Sequence, residues 1–424
     1  MLSSAGDDSW SFKDATRSQT LYLTHSYHKY PAKFIPQLAA RLIKENSQAG
    51  DLICDPFAGS GTTLVEAIVN GRRAYGTDIN PIAVLIAKAK TSPIDPDKLQ
   101  YEVNSLLSYI QGFFRKDSKQ SALIDNSIQF PIPNKERIDY WFPDKQKHDL
   151  ALILSRINAI KDKNIRTFLL CSFSNILKGC SIWMMKSVKP TRDWAKKPAD
   201  AFQSFILQTK RMVKKNSEFW EILGGRKIDC TIDNNDARKL SLKSESVTLV
   251  VTSPPYVTSY EYADLHQLSA LWLGYADDLK QFRSRFIGSI QKEDNGRLNL
   301  YSKLASETVE QLREKDKKES IGAEQYFSEM QQCFKEMHRV LKPKGRAAIV
   351  IGNTDLKKVQ IKNAEIFVET MQKIGFKEYN IIKRPIPSKI LPLTRDEKTG
   401  KFASTTDANR LAYPTEFILI MEKI

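Results

Sequence analysis

The chain has 424 residues, of which 65 are Lys or Arg and 49 are Asp or Glu, so its formal net charge of +16 favours a polyanionic partner. It contains no apolar run of about 18 residues that would span a membrane, and its N-terminal segment lacks the regions of a signal peptide. The five cysteines are scattered and form no Cys-x-x-Cys pair, so the composition predicts a cytoplasmic protein without a zinc cluster or disulfide framework.

A segment rich in His and Pro opens the patterned part of the chain. Residues 25–36 read His-Ser-Tyr-His-Lys-Tyr-Pro-Ala-Lys-Phe-Ile-Pro. Residues 36–45 predict a helix, because their apolar side chains recur on one side. For His25 and His28, a surface turn without a ligand is the alternative interpretation.

A Gly-rich turn follows, between a predicted strand at 51–54 and a predicted helix at 64–69. The turn reads Asp-Pro-Phe-Ala-Gly-Ser-Gly-Thr-Thr from Asp55, and a second short strand ends at Asp78. Glycines let the backbone approach a ligand closely, and an acidic residue after the second strand can hold both ribose hydroxyls. This order of elements predicts the first half of a nucleotide-binding α/β sheet.

Residues 91–230 carry apolar residues at helical spacing, which predicts a mostly helical insertion with a small core of its own. Between Lys186 and Lys215 the chain has nine basic and two acidic residues, with Trp183 and Trp194 interleaved. Basic side chains neutralise phosphates and read base edges. This segment is therefore the first choice for a nucleic-acid contact, and a solvated helix face is the alternative.

A Ser-Pro-Pro-Tyr turn follows the predicted buried strand at 247–251. Its two prolines stiffen the turn and remove backbone donors. The Ser253 hydroxyl and the Pro254 carbonyl can then accept hydrogen bonds from an amino group, while the Tyr256 ring offers a stacking face. Such a surface suits the exocyclic amine of a nucleobase taken out of its stack; an ordinary Pro-rich turn is the alternative.

The rest of the chain predicts the remaining elements of the sheet. The polar stretch 277–323 is expected to be a loop, either mobile and ordering on DNA or simply disordered. The further predicted elements are a helix at 334–341 stopped by residues 342–345, a strand at 347–353, a helix at 364–374, and a strand pair at 376–384 and 413–422 separated by a long loop at 385–410.

The turns at Asp55–Thr62 and Ser253–Tyr256 together resemble the motifs of the DNA amino-methyltransferases. These enzymes use S-adenosylmethionine to methylate N4 of cytosine or N6 of adenine. The His/Pro segment is similar to one that touches the methionine end of the cofactor in this family, and Asp236 stands where the family contacts the adenine amino group. A solvated loop carboxylate is the alternative for Asp236.

The resemblance covers about residues 22–90 and 231–424. It implies an α/β fold with a Rossmann-like doubly wound methyltransferase sheet. The catalytic domain would comprise residues 1–90 and 231–424. Residues 91–230 would form a helical insertion that contacts DNA and recognises the target.

The resemblance implies three groups of site residues and no metal, with double-stranded DNA as the partner. The predicted catalytic residues are Ser253, Pro254, Pro255 and Tyr256. The predicted cofactor-binding residues are His28, Tyr30, Pro31, Ala32, Lys33, Phe34, Asp55, Pro56, Phe57, Ala58, Gly59, Ser60, Gly61, Thr62, Asp78, Ile79, Asn80, Asp236 and Ala237. The predicted DNA-binding residues are Lys186, Lys189, Arg192, Trp194, Lys196 and Lys197.

The Ser at position 253 resembles the N4-cytosine enzymes, whereas Asp is usual in the N6-adenine enzymes. N4-cytosine is therefore favoured, and N6-adenine remains the alternative. C5-cytosine methylation is rejected, because it needs a thiolate that normally follows a proline, and no cysteine of this chain does.

Several questions stay open at the level of the sequence. The order of the motifs resembles the group of the family whose recognition region lies between the cofactor half and the catalytic half, but the insertion precedes Asp236 instead of following it, so that group's recognition residues cannot be transferred directly. The insertion is the first choice for the segment that reads the target, and the stretch 277–323 is the second. An RNA methyltransferase acting on a guanine amino group and a catalytically silent DNA-binding subunit are further alternatives. The sequence shows no nuclease or helicase motif, so a cognate restriction endonuclease would be a separate protein. The oligomeric state is left open.

Overall fold

The computed structural model describes residues 6–30, 33, 35–119, 130–133, 135–187, 189–226, 229–257, 262–276, 278–289, 297–386, 394–395, 410–411 and 415–424. The helices of this part are α1 (Arg17–Thr20), α2 (Pro36–Asn46), α3 (Thr62–Val69), α4 (Pro81–Thr91), α5 (Pro96–Lys119), α6 (Lys135–Trp141), α7 (Asp144–Asn158), α8 (Lys163–Cys180), α9 (Ala201–Leu223), α10 (Tyr262–Leu265), α11 (Gln267–Trp272), α12 (Leu279–Ser284), α13 (Lys303–Lys315), α14 (Lys317–Val340) and α15 (Asn363–Ile374). The strands are β1 (Leu52–Asp55), β2 (Arg73–Thr77), β3 (Cys230–Asp233), β4 (Val247–Thr252), β5 (Leu341–Ile351), β6 (Thr354–Leu356), β7 (Val359–Ile361), β8 (Phe376–Pro385), β9 (Thr394–Arg395), β10 (Arg410–Leu411) and β11 (Thr415–Lys423).

The main sheet has the strand order β3-β2-β1-β4-β5-β11-β8. Strands β1 to β5 pair in parallel, whereas β11 runs antiparallel to both of its neighbours. The order reverses between β1 and β4, and doubly wound sheets bind ligands at such a switch point, outside the carboxyl ends of the strands. The predicted Rossmann-like doubly wound α/β fold is confirmed.

Helices cover both faces of this sheet, because its central strands are apolar on both sides. Successive side chains of a strand point to opposite faces. In β4, Val251 accordingly packs with Leu42 of α2 on one face, while Val250 packs with Phe334 of α14 on the other. The described helices include none with the length and apolarity needed to cross a bilayer.

The insertion consists mainly of helices α5 to α9 in its described part. Their apolar side chains form one cluster with Ile82 and Ile86 of α4 and with Leu271 and Trp272 of α11. The insertion therefore contributes most of a cluster that is distinct from the two clusters on the sheet. This core is shared with α4 and α11, so the insertion packs on helices that flank the sheet.

The polar stretch at 277–323 is largely helical where the structure describes it, contrary to the expectation of a loop. Val309 and Leu312 of α13 are buried in the cluster that α14 forms with the sheet, and Ser302 caps α13 by accepting a hydrogen bond from the backbone of Ala305. Helix α13 is amphipathic: its many charged residues make the segment polar overall, although one side of the helix is apolar and buried. Residues 277 and 290–296 lie outside the described residues.

The C-terminal elements follow the predicted order. Helix α14 begins at Lys317, much earlier than predicted, and ends at Val340, close to the predicted stop. Residues 342–345, which were predicted to form the stop, lie at the start of β5. The predicted final strand pair is present as β8 and β11, and most of the loop at 385–410 lies outside the described residues.

Candidate active site

A cavity opens at the carboxyl ends of β1 and β4, where the strand order reverses. The space between its walls, open mouth included, is about 880 Å³. The cavity is lined by Tyr30, Lys33, Asp55, Pro56, Phe57, Ala58, Gly59, Ser60, Thr62, Asp78, Ile79, Asn80, Asp236, Ala237, Ser253, Pro255, Arg285, Phe286 and Ile287. The Gly-rich turn, Asp78 and Ser253 therefore share one cavity, although they are far apart in the sequence.

Two glycines shape the turn between β1 and α3. Gly59 and Gly61 have φ angles of 48° and 77°, a region that glycine occupies without steric cost. A Cβ on Gly59 would stand 3.3 Å from Cε1 of Tyr30, and a Cβ on Gly61 would stand 3.0 Å from Cβ of Ala87. Glycine at both positions lets the turn pass between the Tyr30 ring and helix α4.

Asp78 braces this turn from the end of β2. Its Oδ2 accepts a hydrogen bond from the backbone N–H of Gly59 at 2.8 Å, and its Oδ1 accepts one from the backbone N–H of Asn80 at 2.9 Å. Burial raises the pKa of Asp78 to about 6, although both N–H donors act to lower it. At neutral pH the side chain is therefore ionised and can accept hydrogen bonds from hydroxyl groups in the cavity.

Asp55 connects the Gly-rich turn to the strand that carries Ser253. Its Oδ1 accepts hydrogen bonds from Oγ1 of Thr252 at 2.6 Å and from the backbone N–H of Phe57 at 3.1 Å. Burial raises the pKa of Asp55 to about 6, and the Thr252 hydroxyl acts to lower it. The side chain thus ties together the carboxyl ends of the two strands that flank the cavity.

Lys33 brings a cationic side chain to the cavity from the His/Pro segment. Its Nζ donates a hydrogen bond to the carbonyl of His25 at 3.1 Å, and burial lowers its pKa to about 8. His25 is itself held by Glu66 of α3, with its Nε2 2.7 Å from Oε1, and burial lowers the pKa of His25 to about 4. The His/Pro segment is therefore anchored on the helix that follows the Gly-rich turn.

The Ser-Pro-Pro-Tyr turn begins at the cavity and is fixed by α14. Ser253 and Pro255 line the cavity, and Pro254 is buried. The carbonyl of Pro255 accepts a hydrogen bond from the hydroxyl of Tyr326 at 2.7 Å. The Ser253 side chain is thus presented by a turn that is held in place from the opposite side.

Tyr256 lies beside the ends of three neighbouring strands. Its ring packs against Gly352 after β5, where a Cβ would stand 3.4 Å from Cε2 of the ring. Its hydroxyl donates a long hydrogen bond of 3.4 Å to Oε1 of Glu416 on β11. Arg384 of β8, which is 5 % exposed, completes this corner, with its Nε 3.8 Å from Oε2 of Glu416.

Most residues predicted to bind the cofactor lie together at the cavity. Gly61 supports the turn from beneath, as its contact with Ala87 indicates. Pro31, Ala32 and Phe34 lie outside the described residues. The predicted residues that line the cavity are Tyr30, Lys33, Asp55, Pro56, Phe57, Ala58, Gly59, Ser60, Thr62, Asp78, Ile79, Asn80, Asp236 and Ala237.

His28 is placed differently from the prediction. It is buried, with its Nε2 3.0 Å from Oγ of Ser174 and its Nδ1 3.1 Å from the carbonyl of Lys29, and it is absent from the described lining of the cavity. Burial lowers its pKa to about 3. His28 therefore joins the His/Pro segment to α8 of the insertion instead of facing the cofactor cavity.

Asp236 lines the cavity, but its carboxylate is already engaged. Oδ1 accepts a hydrogen bond from Nε of Arg238 at 2.9 Å, and Oδ2 accepts one from Nη2 of the same residue at 2.5 Å. Arg238 also pairs with Glu329 of α14. A contact between Asp236 and an adenine amino group would therefore be added to an existing ion pair, which fixes the orientation of the carboxylate.

Arg285, Phe286 and Ile287 also line the cavity, from the segment after α12, although no sequence motif points to them. This segment was assigned to a polar loop because charged residues surround it. Its only local signal is the apolar pair Phe286-Ile287 within a polar stretch. Its proximity to the Gly-rich turn depends on packing between distant elements.

The residues predicted to bind DNA divide into two groups. Lys196 is turned inward: its Nζ donates hydrogen bonds to the carbonyls of Lys178 at 2.7 Å and Trp183 at 2.8 Å, and burial lowers its pKa. Trp183 is buried as well. Arg192 is half-buried and stacks between two aromatic rings. The predicted residues that are exposed are Lys186, Lys189, Trp194 and Lys197.

The polar atoms of the cavity wall fit a cofactor that contains a nucleoside. Within the described structure, Oγ of Ser60 and Nδ2 of Asn80 are buried without a hydrogen-bond partner, and such atoms in a native protein call for a ligand, water or ion to complete them. Asp78 adds an acceptor, and Phe57 and Ile79 add apolar surface. The described residues include no group of three or more His, Cys, Asp or Glu side chains that could hold a metal ion.

Comparisons with known proteins give a family model and relatives that match this chain. The family model of the N6/N4 methyltransferases, described as DNA methylase, matches residues 3–89 and 247–424. The type II methyltransferase M.MvaI of Kocuria varians is 29% identical over 444 aligned positions, covering 99% of this chain and 96% of that protein. M.BsoBI of Geobacillus stearothermophilus, also a type II methyltransferase, is 23% identical and covers 87% of this chain and 81% of its own.

A solved structure is similar over a shorter range. It is a putative DNA modification methylase from Thermus thermophilus, complexed with S-adenosyl-L-methionine. It shares 19% identity and a TM-score of 0.22 with this chain, and the match covers 45% of this chain and 51% of that one.

Proposed function

The chain belongs to the DNA methylase family of N6/N4 methyltransferases, and we propose that it methylates the exocyclic N4 of a cytosine extruded from double-stranded DNA. S-adenosylmethionine is its methyl donor. The observation that carries the proposal is the position of Ser253 on the wall of the cavity that also contains Asp78 and the Gly-rich turn. An acceptor for an amino group and a site for a nucleoside cofactor are thus adjacent.

The cavity residues suggest how the cofactor would be held. The ionised carboxylate of Asp78 would accept hydrogen bonds from the ribose hydroxyls. The His/Pro segment contributes one part of the cavity wall, and Lys33 carries a positive charge there. This charge would neutralise a carboxylate of the cofactor. When bound, S-adenosylmethionine supplies an electrophilic methyl group on a sulfonium centre.

The Ser-Pro-Pro-Tyr turn would activate the acceptor amine. An exocyclic amine conjugated to a ring is a poor nucleophile, because its lone pair is delocalised. Hydrogen bonds from the amine to the Ser253 hydroxyl and the Pro254 carbonyl would draw the nitrogen towards sp³ geometry and aim its lone pair into the cavity. The Tyr256 ring would stack on the base, so the rate would come from positioning and oriented acceptors.

The choice of cytosine rests on Ser253. A neutral hydroxyl in this position resembles the N4-cytosine enzymes, whereas N6-adenine enzymes usually carry Asp. Both amines need the same two acceptors, so N6-adenine methylation is the alternative product of the same site.

The exposed basic residues of the insertion would bind the DNA. Lys186, Lys189, Trp194 and Lys197 are exposed, and the positive side chains among them would neutralise phosphates. We place the chain in a type II modification system, in keeping with the names of its full-length relatives. Its restriction endonuclease would be a separate protein.

Mass spectrometry of nucleosides tests the proposal. DNA is incubated with the protein and S-adenosylmethionine, digested and analysed, with the Ser253→Ala variant as a matched control. N4-methylcytosine that depends on Ser253 is the expected product. N6-methyladenine would retain the fold and cofactor but overturn the choice of base, and methylation of RNA alone would overturn the choice of DNA.

A further inference from the structure

Residues 182–187 and 189–194 form the two sides of a hairpin that follows α8. The backbone N–H of Met184 donates to the carbonyl of Thr191 at 2.9 Å, and the backbone N–H of Asp193 donates to the carbonyl of Ile182 at 2.8 Å. Trp183 and Arg192 face each other in an antiparallel bridge. This part of the basic segment is therefore a short, paired structure and not a helix face.

The inner side of the hairpin is firmly attached to the insertion. The Trp183 ring is buried and stacks on Trp141 of α6 at a centroid distance of 5.2 Å. Nζ of Lys178 donates to the carbonyl of Ser187 at 2.9 Å, and Nζ of Lys196 donates to the carbonyl of Trp183. Two lysines thus serve as braces, so the hairpin is presented on a rigid base.

On the outer side of the hairpin, the guanidinium group of Arg192 lies over two aromatic rings. The guanidinium carbon of Arg192 lies 4.1 Å from the ring centroid of Tyr140 and 3.7 Å from that of Trp194. Trp194 is 75% exposed, so one face of its indole rests on Arg192 while the other is open to solvent. An indole that is fixed in place and left open is typical of a binding surface.

The hairpin is connected to the mouth of the active-site cavity by a short series of contacts. Tyr30 lines the cavity, and the backbone N–H of the adjacent Lys29 donates to Oδ1 of Asn175 on α8 at 2.9 Å. Lys178, one turn further along α8, holds the hairpin through Ser187. The hairpin and the segment that carries Tyr30 are therefore fixed to the same helix, α8, which sets the position of the hairpin relative to the cavity.

The surroundings of Trp194 indicate the chemistry of its partner. Residues 182–197 contain five basic residues and one acidic residue, which suits a polyanion. The open indole face suits a planar ring, because base–aromatic stacking is favourable for every nucleobase. We propose that Trp194 stacks on a nucleobase of the DNA that loses a neighbour when the target base leaves the duplex. This inference rests on the proposed function and adds to it a specific contact.

Three substitutions at Trp194 separate stacking from other contributions. Trp194→Phe keeps an aromatic face, Trp194→Leu keeps apolar surface without one, and Trp194→Ala removes both. Tyr101 of α5, which is 73% exposed, provides the matched control Tyr101→Ala. The probe is a duplex that contains the site methylated by the wild-type protein, and binding is measured by fluorescence anisotropy.

We expect Kd to rise about 5- to 100-fold for the Leu and Ala variants, as for the loss of one stacked base. The Phe variant should retain most of the affinity, and the Tyr101 variant should bind like the wild type. Arg192→Lys keeps the charge but removes the planar support of the indole, so it should also weaken binding. A Leu variant that binds as tightly as the wild type would refute the stacking contact.

Photo-crosslinking locates the contact independently of affinity. Duplexes with 5-iodouracil at each position next to the target base are irradiated with the protein, and the crosslinked peptide is identified by mass spectrometry. A crosslink at Trp194 supports the inference, whereas crosslinks confined to other segments overturn it while methylation by the wild type leaves the proposed function intact. If the wild type methylates no DNA, the proposed function fails and this inference fails with it.

Discussion

Oδ1 of Asp55 lies 2.6 Å from Oγ1 of Thr252, so the first residue of the Gly-rich turn is bonded to the residue that precedes Ser253. The two residues end the parallel strands β1 and β4, between which the sheet reverses its order. This hydrogen bond joins the cofactor half and the catalytic half of the site through a buried carboxyl group whose pKa burial raises to about 6.

Replacing Thr252 by Val should change the pH dependence of cofactor binding. The Thr252 hydroxyl acts to lower the pKa of Asp55, so its removal should raise that pKa further above 6. Asp55 would then be protonated at a higher pH. The fall in cofactor affinity on the acid side of the pH profile would therefore begin at a higher pH. Calorimetric titration with S-adenosylhomocysteine between pH 5 and 8 measures this fall; an unchanged profile would contradict the role given to this bond.

Asp78→Ala should weaken cofactor binding at least tenfold and leave DNA binding largely intact. The substitution removes the acceptor for the ribose hydroxyls and for the N–H of Gly59, and hydrogen bonds to a charged group contribute roughly 1.5–3 kcal/mol each. Calorimetry with S-adenosylhomocysteine and anisotropy with duplex DNA measure the two affinities. Equal losses in both would indicate general disruption of the fold.

The wild-type protein should lose cofactor affinity as the pH falls through about 6. Burial raises the pKa of Asp78 to about 6, so the carboxyl group is ionised above that pH and protonated below it. The ionised form is acceptor-only and charged, whereas protonation removes the charge and turns one oxygen into a donor. Because the same burial makes ionisation more difficult in the folded state than in the unfolded state, Asp78 lowers stability as the pH rises from about 4 to above 6. Asp78→Asn should therefore flatten both the pH dependence of cofactor affinity and the pH dependence of folding stability.

Ser253→Ala should lower turnover far more than cofactor affinity. The hydroxyl is one of two acceptors for the amine in the proposed mechanism, and loss of a single oriented hydrogen-bonding group at a reacting centre typically costs about 10²- to 10³-fold in kcat. Single-turnover methylation assays give the rate, and calorimetry gives the affinity for the cofactor. A parallel loss of both would argue that Ser253 supports the cavity and does not contact the amine.

Lys196→Ala should affect stability, whereas Lys186→Ala combined with Lys189→Ala should affect DNA binding. The Lys196 ammonium group satisfies two backbone carbonyls, and leaving such groups without a donor costs about 1–3 kcal/mol. Lys186 and Lys189 are exposed, and removing two phosphate contacts should reduce the slope of log K against log salt by about 2. Thermal unfolding and salt titrations measure the two effects, and a lower salt slope for Lys196→Ala alone would reverse the assignment.

Much of the fold and part of the site could be predicted from local sequence. The strands around the Gly-rich turn, the acidic residue after β2 and the Ser-Pro-Pro-Tyr turn all depend on neighbouring residues, whose apolar spacing and backbone preferences act over a few positions. The parallel order of the strands then required both turns to lie at the same edge of the sheet. This is why the sequence alone predicts that Asp55, Asp78 and Ser253 lie near one another.

The sequence by itself determined the kinds of chemical group at the site, and the tertiary structure decided which of them face it. Lys196 and Lys197 are neighbours, yet one braces a hairpin and the other is exposed; His28 points to Ser174, and Arg285 reaches the cavity from a segment that looked like a loop. Such differences arise from contacts between distant elements. A side chain's direction depends on which carbonyls and rings packing brings within reach, and no local pattern encodes that.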